Sequence, residues 1–336
     1  MKLLARSIGL LFLALLAWFA TPGAADAQPV KPVTVKIGIS YPGVEDMPLY
    51  VAERQGWFRD EHLAVELIAL ASGDKIAFAL LSDSIELAIY TPDWFIRAME
   101  KSDTKLKVVL GSTNDLIFSF ITAKEIASYA DLKGKRIGVS TIKAADSYLV
   151  RKMMAAHGLA ESDYILIQAG ASPDRAAGLK AGSLAGTLLT PPSDERVLDE
   201  GGFARLDLSS SVLSHYAWQS STVRETWAKA NRATLVGYIR SWIKGSRWLR
   251  DPKNHDEIIA IMDRELKMPP RYAQSLYDRY YGANALGVTP DGVLDAEGYR
   301  ALLKDLADQG QIAAPPSPPE RYVDSGYWDE ARRSIE

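Results

Sequence analysis

Several stretches of this 336-residue chain set small hydroxyl residues between an apolar run and a helical pattern. Around Asp131 to Val150, the apolar residues Ile137 and Val139 predict a strand over Lys135 to Val139, entered through Lys133-Gly134. Ser140 and Thr141 follow, and a helical pattern starts near Lys143. A strand that stops at small hydroxyl residues and runs into a helix exposes free backbone N–H groups and the positive end of a helix dipole. That arrangement seats a carboxylate, sulfonate or phosphate. The same residues can equally be plain helix caps. The unit recurs at Ala71-Ser72-Gly73-Asp74, Thr91-Pro92-Asp93, Ala169-Gly170-Ala171-Ser172 and Thr190-Pro191-Pro192-Ser193, which favours a binding role for the group as a whole.

The residue types needed for catalysis do not gather in the sequence. Cysteine is absent, so there is no thiol nucleophile, disulfide or thiolate metal ligand. His62, His157, His215 and His255 are scattered without metal-ligand spacing. There is no Gly-x-Ser-x-Gly elbow and no paired-acid signature. The reading is therefore a non-enzyme without metal or other cofactor. Net charge is −3, with no basic stripe interleaved with aromatics, which argues against a nucleic-acid partner.

The N-terminus reads as an export signal. Lys2 and Arg6 form a positive start, Ile8 to Ala20 an apolar core, and Ala25-Asp26-Ala27 a small-x-small cleavage site. Residues 1–27 are expected to be removed before Gln28, leaving a periplasmic protein.

The elements that must position the loops follow in order. Val33 to Ile39, Ala64 to Leu70, Ile85 to Tyr90 and Leu106 to Leu110 read as strands. Helices from Pro48, Lys75 and Trp94 separate them, with Pro48 at a first turn where its missing N–H costs nothing. Such short crossovers predict a parallel sheet with helices on its faces. Leu116 to Ala123 reads as a strand leaving this unit. A second β/α unit follows: Lys135 to Val139, a helix to His157, Tyr164 to Gln168, a helix to Ala181, Leu184 to Leu189, a helix to Glu200, and a strand near Ala204 to Leu208. Ala79 to Ile89 and Gly178 to Leu188 echo each other, each running into a Thr-Pro pair. Tyr216 to Val223 reads as a returning strand. Helices are then expected over Glu225 to Arg250, Asp256 to Leu266, Pro270 to Tyr281, Ala296 to Gln309 and Tyr322 to Ile335. Their tryptophans and tyrosines fall at helical spacing and read mostly as packing.

Three stretches, Pro48 to Leu67 (PLYVAERQGWFRDEHLAVEL), Ser72 to Ala88 (SGDKIAFALLSDSIELA) and Asp131 to Ser140 (DLKGKRIGVS), resemble the periplasmic substrate-binding proteins of ABC importers in the nitrate/sulfonate/taurine group, relatives of the thiamine-pyrimidine precursor binders. The resemblance runs over about Val33 to Trp248. It implies an α/β, two-lobed clamp of the type II periplasmic-binding-protein kind, each lobe a β-sheet flanked by helices, with a helical C-terminal extension. Lobe one would hold residues 28–113 and 217–336, and lobe two residues 114–216 with both hinge crossovers. A ligand would bind in the cleft beyond the carboxyl ends of the strands, and hinge closure would bury it. The chain departs from the family at Asp83-Ser84-Ile85-Glu86, where Gly-Glu-Val-Asp is common, and at Ala185, where Asp is usual. It departs again at Thr190 to Ser193, in place of an aromatic-acidic-Pro element. These departures imply a ligand unlike those of the best-known members.

On this basis Tyr41, Met47, Ser72, Gly73, Thr91, Asp93 and Asn114 are expected to reach the ligand from lobe one or its exit. Ser140, Thr141, Lys143, Thr190 and Pro192 are expected from lobe two. The favoured ligand is a small organic anion, a sulfonate, carboxylate or related group, with an aromatic body among the options because Tyr41, Tyr90 and Trp94 lie beside the helix starts. The implied partners are ABC permease and ATPase subunits, with the binding protein itself a monomer. A ligand sensor with the same clamp, and an enzyme of the related pyrimidine or quinone precursor group, are the alternatives.

Overall fold

Alternation in Val33–Ile39 turns Val35, Ile37 and Ile39 inward and makes the first strand, β1. The computed structural model describes residues 31–336 except 71, 115–117, 143, 214, 284, 286 and 287. The expected leader and Lys143 lie outside the described residues. After β1 come α1 (Met47–Arg54), α2 (Trp57–Asp60), β2 (Leu63–Ala69), α3 (Gly73–Leu81), β3 (Leu87–Tyr90), α4 (Pro92–Lys101) and β4 (Leu106–Thr113). Strand β5 (Ser119–Ala123) then opens a second set: β6 (Arg136–Val139), α5 (Ala145–Ala156), β7 (Ile165–Gln168), α6 (Ser172–Lys180), β8 (Gly186–Leu189), α7 (Ser193–Asp199) and β9 (Phe203–Leu208). The chain closes with β10 (Gln219–Arg224), α8 (Glu225–Ala230), α9 (Arg232–Arg250), α10 (His255–Leu266), α11 (Pro270–Tyr280), α12 (Ala296–Asp308) and α13 (Gly326–Arg333).

The first sheet has the order β2-β1-β3-β10-β4 and the second β7-β6-β8-β5-β9. In each, three parallel strands carry helical crossovers, and the fourth position is taken by an antiparallel strand from a connection between the sets. The equivalence of β3 with β8 agrees with the sequence echo at Ala79 to Ile89 and Gly178 to Leu188. The expected all-parallel pairing of the first four strands is corrected here. β10 inserts between β3 and β4 and pairs antiparallel with both. The expected single helix over Glu225 to Arg250 is likewise two, broken at Asn231, whose Nδ2 donates to the Trp227 carbonyl at 3.0 Å. Among the described residues no helix is long and apolar enough to cross a membrane.

A polar strand such as Gln-Ser-Ser-Thr-Val can be central only if its hydroxyls find partners, because an unpaired buried group loses its hydrogen bonds to water. The fully buried Ser220 and Ser221 point to opposite faces. The Ser220 hydroxyl lies 2.5 Å from that of Tyr299 on α12, and the Ser221 hydroxyl 3.1 Å from that of Tyr238 on α9. The C-terminal helices are thus bonded to the first sheet as well as packed on it. On one face, β1, α1, α9, α10 and α11 form an apolar core around the fully buried Trp242 and Tyr238. α9 lies so close to α1 that a Cβ on Gly245 would clash with the Pro48 carbonyl oxygen. On the other face a second core runs from α3 and α4 through Phe118 and Phe120 to α5 and α12.

Tyr238→Phe is expected to lower unfolding free energy by about 1–2 kcal/mol, because it strands the Ser221 hydroxyl. Adding Ser221→Ala should recover part of the loss. Urea titrations of the two single variants and the double variant measure the coupling, and strictly additive losses would remove the Tyr238–Ser221 bond from this account.

Candidate ligand-binding cleft

The loops that leave the carboxyl ends of the parallel strands of both sheets line one cavity of about 380 Å³. From the first sheet come Ser40 and Tyr41 after β1, Ser72 to Asp74 after β2, and Thr91, Asp93 and Trp94 after β3. From the second come Ser140, Thr141 and Asp146 after β6, Gly170 to Ser172 and Arg175 after β7, and Thr190 after β8. Phe118 and Trp218 line it from the two connections between the sheets, and Gln219 from the start of β10. The hydroxyls of Tyr41 and Thr190 are 3.2 Å apart, so the two walls touch at this point. A larger cavity of about 1060 Å³ shares Trp94 and Thr141 but lies against α4, α5 and the end of α12, away from the other strand-end loops. Among the described residues no group of three or more His, Asp and Glu side chains is placed to hold a metal ion.

Each helix that begins at the cleft carries an aspartate in its first turn: Asp74 on α3, Asp93 on α4, Asp146 on α5 and Asp174 on α6. These carboxylates occupy the positive helix ends that a ligand anion would otherwise use. Ser72 donates its hydroxyl to Asp74 and holds that carboxyl below its ordinary range. Asp146 accepts from the Ser140 N–H and hydroxyl, both at 2.7 Å, and from the Ser147 N–H at 3.0 Å. Asp174 accepts from the Ala171 N–H at 3.1 Å. The expectation that Ser140 offers its donors to a ligand is therefore corrected, since both are spent on Asp146.

The positive charge at the second-sheet wall comes instead from Arg175, which is 4% exposed. Its Nε donates to the Leu188 carbonyl at 3.1 Å, Nη1 to the Gly170 carbonyl at 2.5 Å, and Nη2 to Ser172 Oγ at 3.3 Å. Asp146 Oδ2 approaches Nη1 at 3.5 Å. Burial pulls the guanidinium below its usual range, and Asp146 acts against that shift. A guanidinium remains charged even so and has five N–H groups, more than these hydrogen bonds use. Thr190 donates both its N–H, at 3.0 Å, and its hydroxyl, at 2.9 Å, to Ser172 Oγ, which sets the loop after β8 against α6.

Of the residues expected from sequence, Tyr41, Ser72, Gly73, Thr91, Asp93, Ser140, Thr141 and Thr190 line the cavity. Three do not. Met47 is fully buried in the core between β1 and the C-terminal helices, because the first turn of α1 faces inward. Asn114 donates Nδ2 to the Val293 carbonyl at 3.4 Å, and its own carbonyl accepts from the Tyr216 N–H, tying the two connections together. Pro192 precedes α7 and leaves the cavity to Thr190. Sequence reasoning missed Glu45, Arg175, Phe118, Trp218 and Gln219. Arg175 looks like an ordinary helix-surface charge in the sequence; its only signal is its place one turn into a helix that starts at a strand-end loop.

The first-sheet wall is acidic and aromatic. Glu45 lines it, with burial raising its carboxyl above the ordinary range. Asp46 beside it is raised well above that range, by burial first and then by Glu45. A Cβ on Gly73 would meet the Trp94 and Tyr90 rings at 2.6 Å, so glycine here lets both rings close over the start of α3.

Residues 44–184 match the family model described as NMT1/THI5 like. The matched stretch is less than half of the chain. It holds most of the strand-end loops of both walls, from Glu45 through Arg175. YtlA of Bacillus subtilis (strain 168), named as a candidate binding protein, is 23% identical over 276 residues, covering 79% of this chain and 80% of its own. Among solved structures, the periplasmic nitrate-binding protein NrtA of Synechocystis PCC 6803 aligns with a TM-score of 0.75 at 14% identity, over 91% of this chain and 90% of its own. The periplasmic aliphatic sulphonate binding protein SsuA of Escherichia coli aligns at 0.71 and 16% identity, over 89% and 99%. The desulfurization enzyme DSZB aligns at 0.67 and 15% identity, over 90% and 99%. The chain has the periplasmic-binding-protein fold, an α/β architecture of two helix-flanked sheets.

Two outcomes are expected from this geometry. Gly73→Ala should cost about 1–3 kcal/mol of stability through overpacking, with part of the loss regained in Gly73→Ala/Trp94→Phe; thermal or urea melts that show no coupling would place the strain elsewhere. Asp46 should make stability depend on pH. Its folded-state affinity for a proton is raised, so its contribution is fully present below the unfolded value near pH 4 and is lost as pH rises through the folded value. Relative to Asp46→Asn, the unmodified protein should lose stability as pH rises above about 4, with a slope of up to about 1.4 kcal/mol per pH unit. Parallel urea curves for the two proteins across that range would contradict it.

Proposed function

We propose that this chain is an exported solute-binding protein that captures a small organic anion, aromatic in part, and delivers it to an ABC-type importer. The observation that carries the reading is the nearly buried Arg175 guanidinium, set in a cleft built from the strand-end loops of two sheets. A charge held there by neutral carbonyls and one carboxylate suits an anion better than solvent, and open α/β sheets bind ligands at this end of their strands. The nitrate and sulphonate binding named for NrtA and SsuA supports the same class. Phe118, Trp218, Trp94 and Tyr90 supply apolar and π surface for a ring.

In this reading residues 28–113 with 217–336 form one lobe and residues 114–216 the other. Two connections join them, and closure over the ligand brings the walls together around Tyr41 and Thr190. Residues 1–27 direct export to the periplasm and are removed. The mature protein acts as a monomer that presents its closed form to permease and ATPase subunits, without catalysing a reaction or holding a cofactor.

The test is a thermal-shift screen of residues 28–336 against nitrate, alkyl and aryl sulfonates, aromatic and aliphatic carboxylates, and pyrimidine precursors. Ligand at 100 times its Kd stabilises by about 2.7 kcal/mol, which is several degrees at roughly 2–4 °C per kcal/mol. One chemical class should give a dose-dependent shift, Arg175→Met should abolish it, and the compound should be recovered unchanged. A flat screen, or a compound returned as product, would sink the proposal; the second outcome would point to an enzyme on the fold that DSZB also uses.

A further inference from the structure

The first-sheet wall holds two buried acceptors with nothing to accept from. Asp93 is 3% exposed; its Oδ2 pairs with Arg97 at 2.6 Å, while Oδ1 has no hydrogen-bond partner. Gln219 is 7% exposed, and its Oε1 is likewise unpartnered. Both side chains line the cavity. They are neighbours through the sheet, because β10 runs antiparallel to β3 with Ser220 opposite Tyr90, which sets Gln219 beside the loop that carries Thr91 and Asp93. Phe118 and Trp218 lie next to them in a T-shaped pair with ring centroids 4.9 Å apart. Across the cleft, the second-sheet wall presents the Arg175 guanidinium.

A buried carboxylate oxygen and a buried amide oxygen without donors cost stability that a ligand N–H can restore. A ligand that carries only negative charge would leave both unpaired and would bring its charge toward Asp93. We propose that the ligand bears a nitrogen with N–H donors, an amine or ammonium, at one end of an aromatic ring and an acid group at the other. The nitrogen donates to Asp93 Oδ1 and Gln219 Oε1, the ring lies against Phe118 and Trp218, and the acid meets Arg175. This deepens the solute-binding reading and rests on it. It also makes Asp93 and Gln219 the residues that separate such a ligand from simple anions, because a site built to accept N–H groups rejects analogues that lack them.

Calorimetric titration of residues 28–336 with benzoate, benzylamine and 4-(aminomethyl)benzoate tests the inference. The three probes share a ring and carry the acid alone, the amine alone, or both. 4-(Aminomethyl)benzoate should bind at least about tenfold more tightly than benzoate. Asp93→Asn should erase that advantage. Gln219→Met, which leaves the Asp93–Arg97 pair in place, should reduce it several-fold. Equal binding of benzoate and 4-(aminomethyl)benzoate would mean that water serves the two acceptors and would overturn the proposal. So would an advantage that survives both variants, or no binding by any of the three probes. Those failures leave the solute-binding reading to the wider screen, where a response to nitrate or sulfonates alone would keep that reading and discard this one.

Discussion

A guanidinium taken almost fully out of water is unfavourable by several kcal/mol unless the surrounding groups replace its hydration. Arg175 is in that position, and the groups that replace its hydration come from three strand ends of the second sheet. Leu188 belongs to β8, Gly170 follows β7, and Asp146 opens α5 after β6. Asp146 in turn takes both donors of Ser140, the residue at which β6 stops. One side chain therefore gathers three parallel strand ends into a single wall. The loops there cannot be placed independently of one another, since displacing any of them leaves a buried charge short of a partner.

The opposite wall is organised by a different constraint. Gly73 lets Trp94 and Tyr90 close over the start of α3, and acids at Glu45, Asp74 and Asp93 give this side the opposite sign. The cleft is consequently uneven, with Arg175 and its partner Asp146 on one side and further carboxylates and aromatic rings on the other. Helix N-termini are favourable places for anions in general. Here each is already met by an aspartate of its own helix, so the charge that a ligand meets is decided by side chains.

The two sheets are built alike, and each accepts an antiparallel strand from the connecting segments. β10 carries this furthest. Its serines would be out of place at the centre of a sheet if Tyr238 and Tyr299 did not meet them on either face. The C-terminal helices that bear these tyrosines thus complete the first sheet, and the second apolar core continues through Phe118 and Phe120 to the second. A cleft lined by loops needs a rigid frame on both sides, and this frame is made as much by the last third of the chain as by the β/α units.

Much of the frame was legible in the sequence. Period-two alternation in Val33–Ile39, prolines in first helical turns, and small residues at strand ends determined the order of strands and helices, because these signals act over a few residues. The loops after β1, β2, β3, β6 and β8 were identified for the same reason, and eight of the expected residues line the cleft. The errors arise where a contact crosses from one element to another. Nothing local distinguishes Met47, facing the core, from Tyr41, facing the cleft. The pairing of β10 between β3 and β4 depends on residues far apart in the chain, the burial of Arg175 against Leu188 crosses from α6 to β8, and the capture of Ser140 by Asp146 crosses from the end of β6 to the first turn of α5. The sequence by itself determined which elements form and which of their ends carry small polar residues. Only the tertiary structure decided which donors remain free and which charge faces the cleft, because a hydrogen bond or ion pair is settled by whichever partner folding brings within about 3 Å.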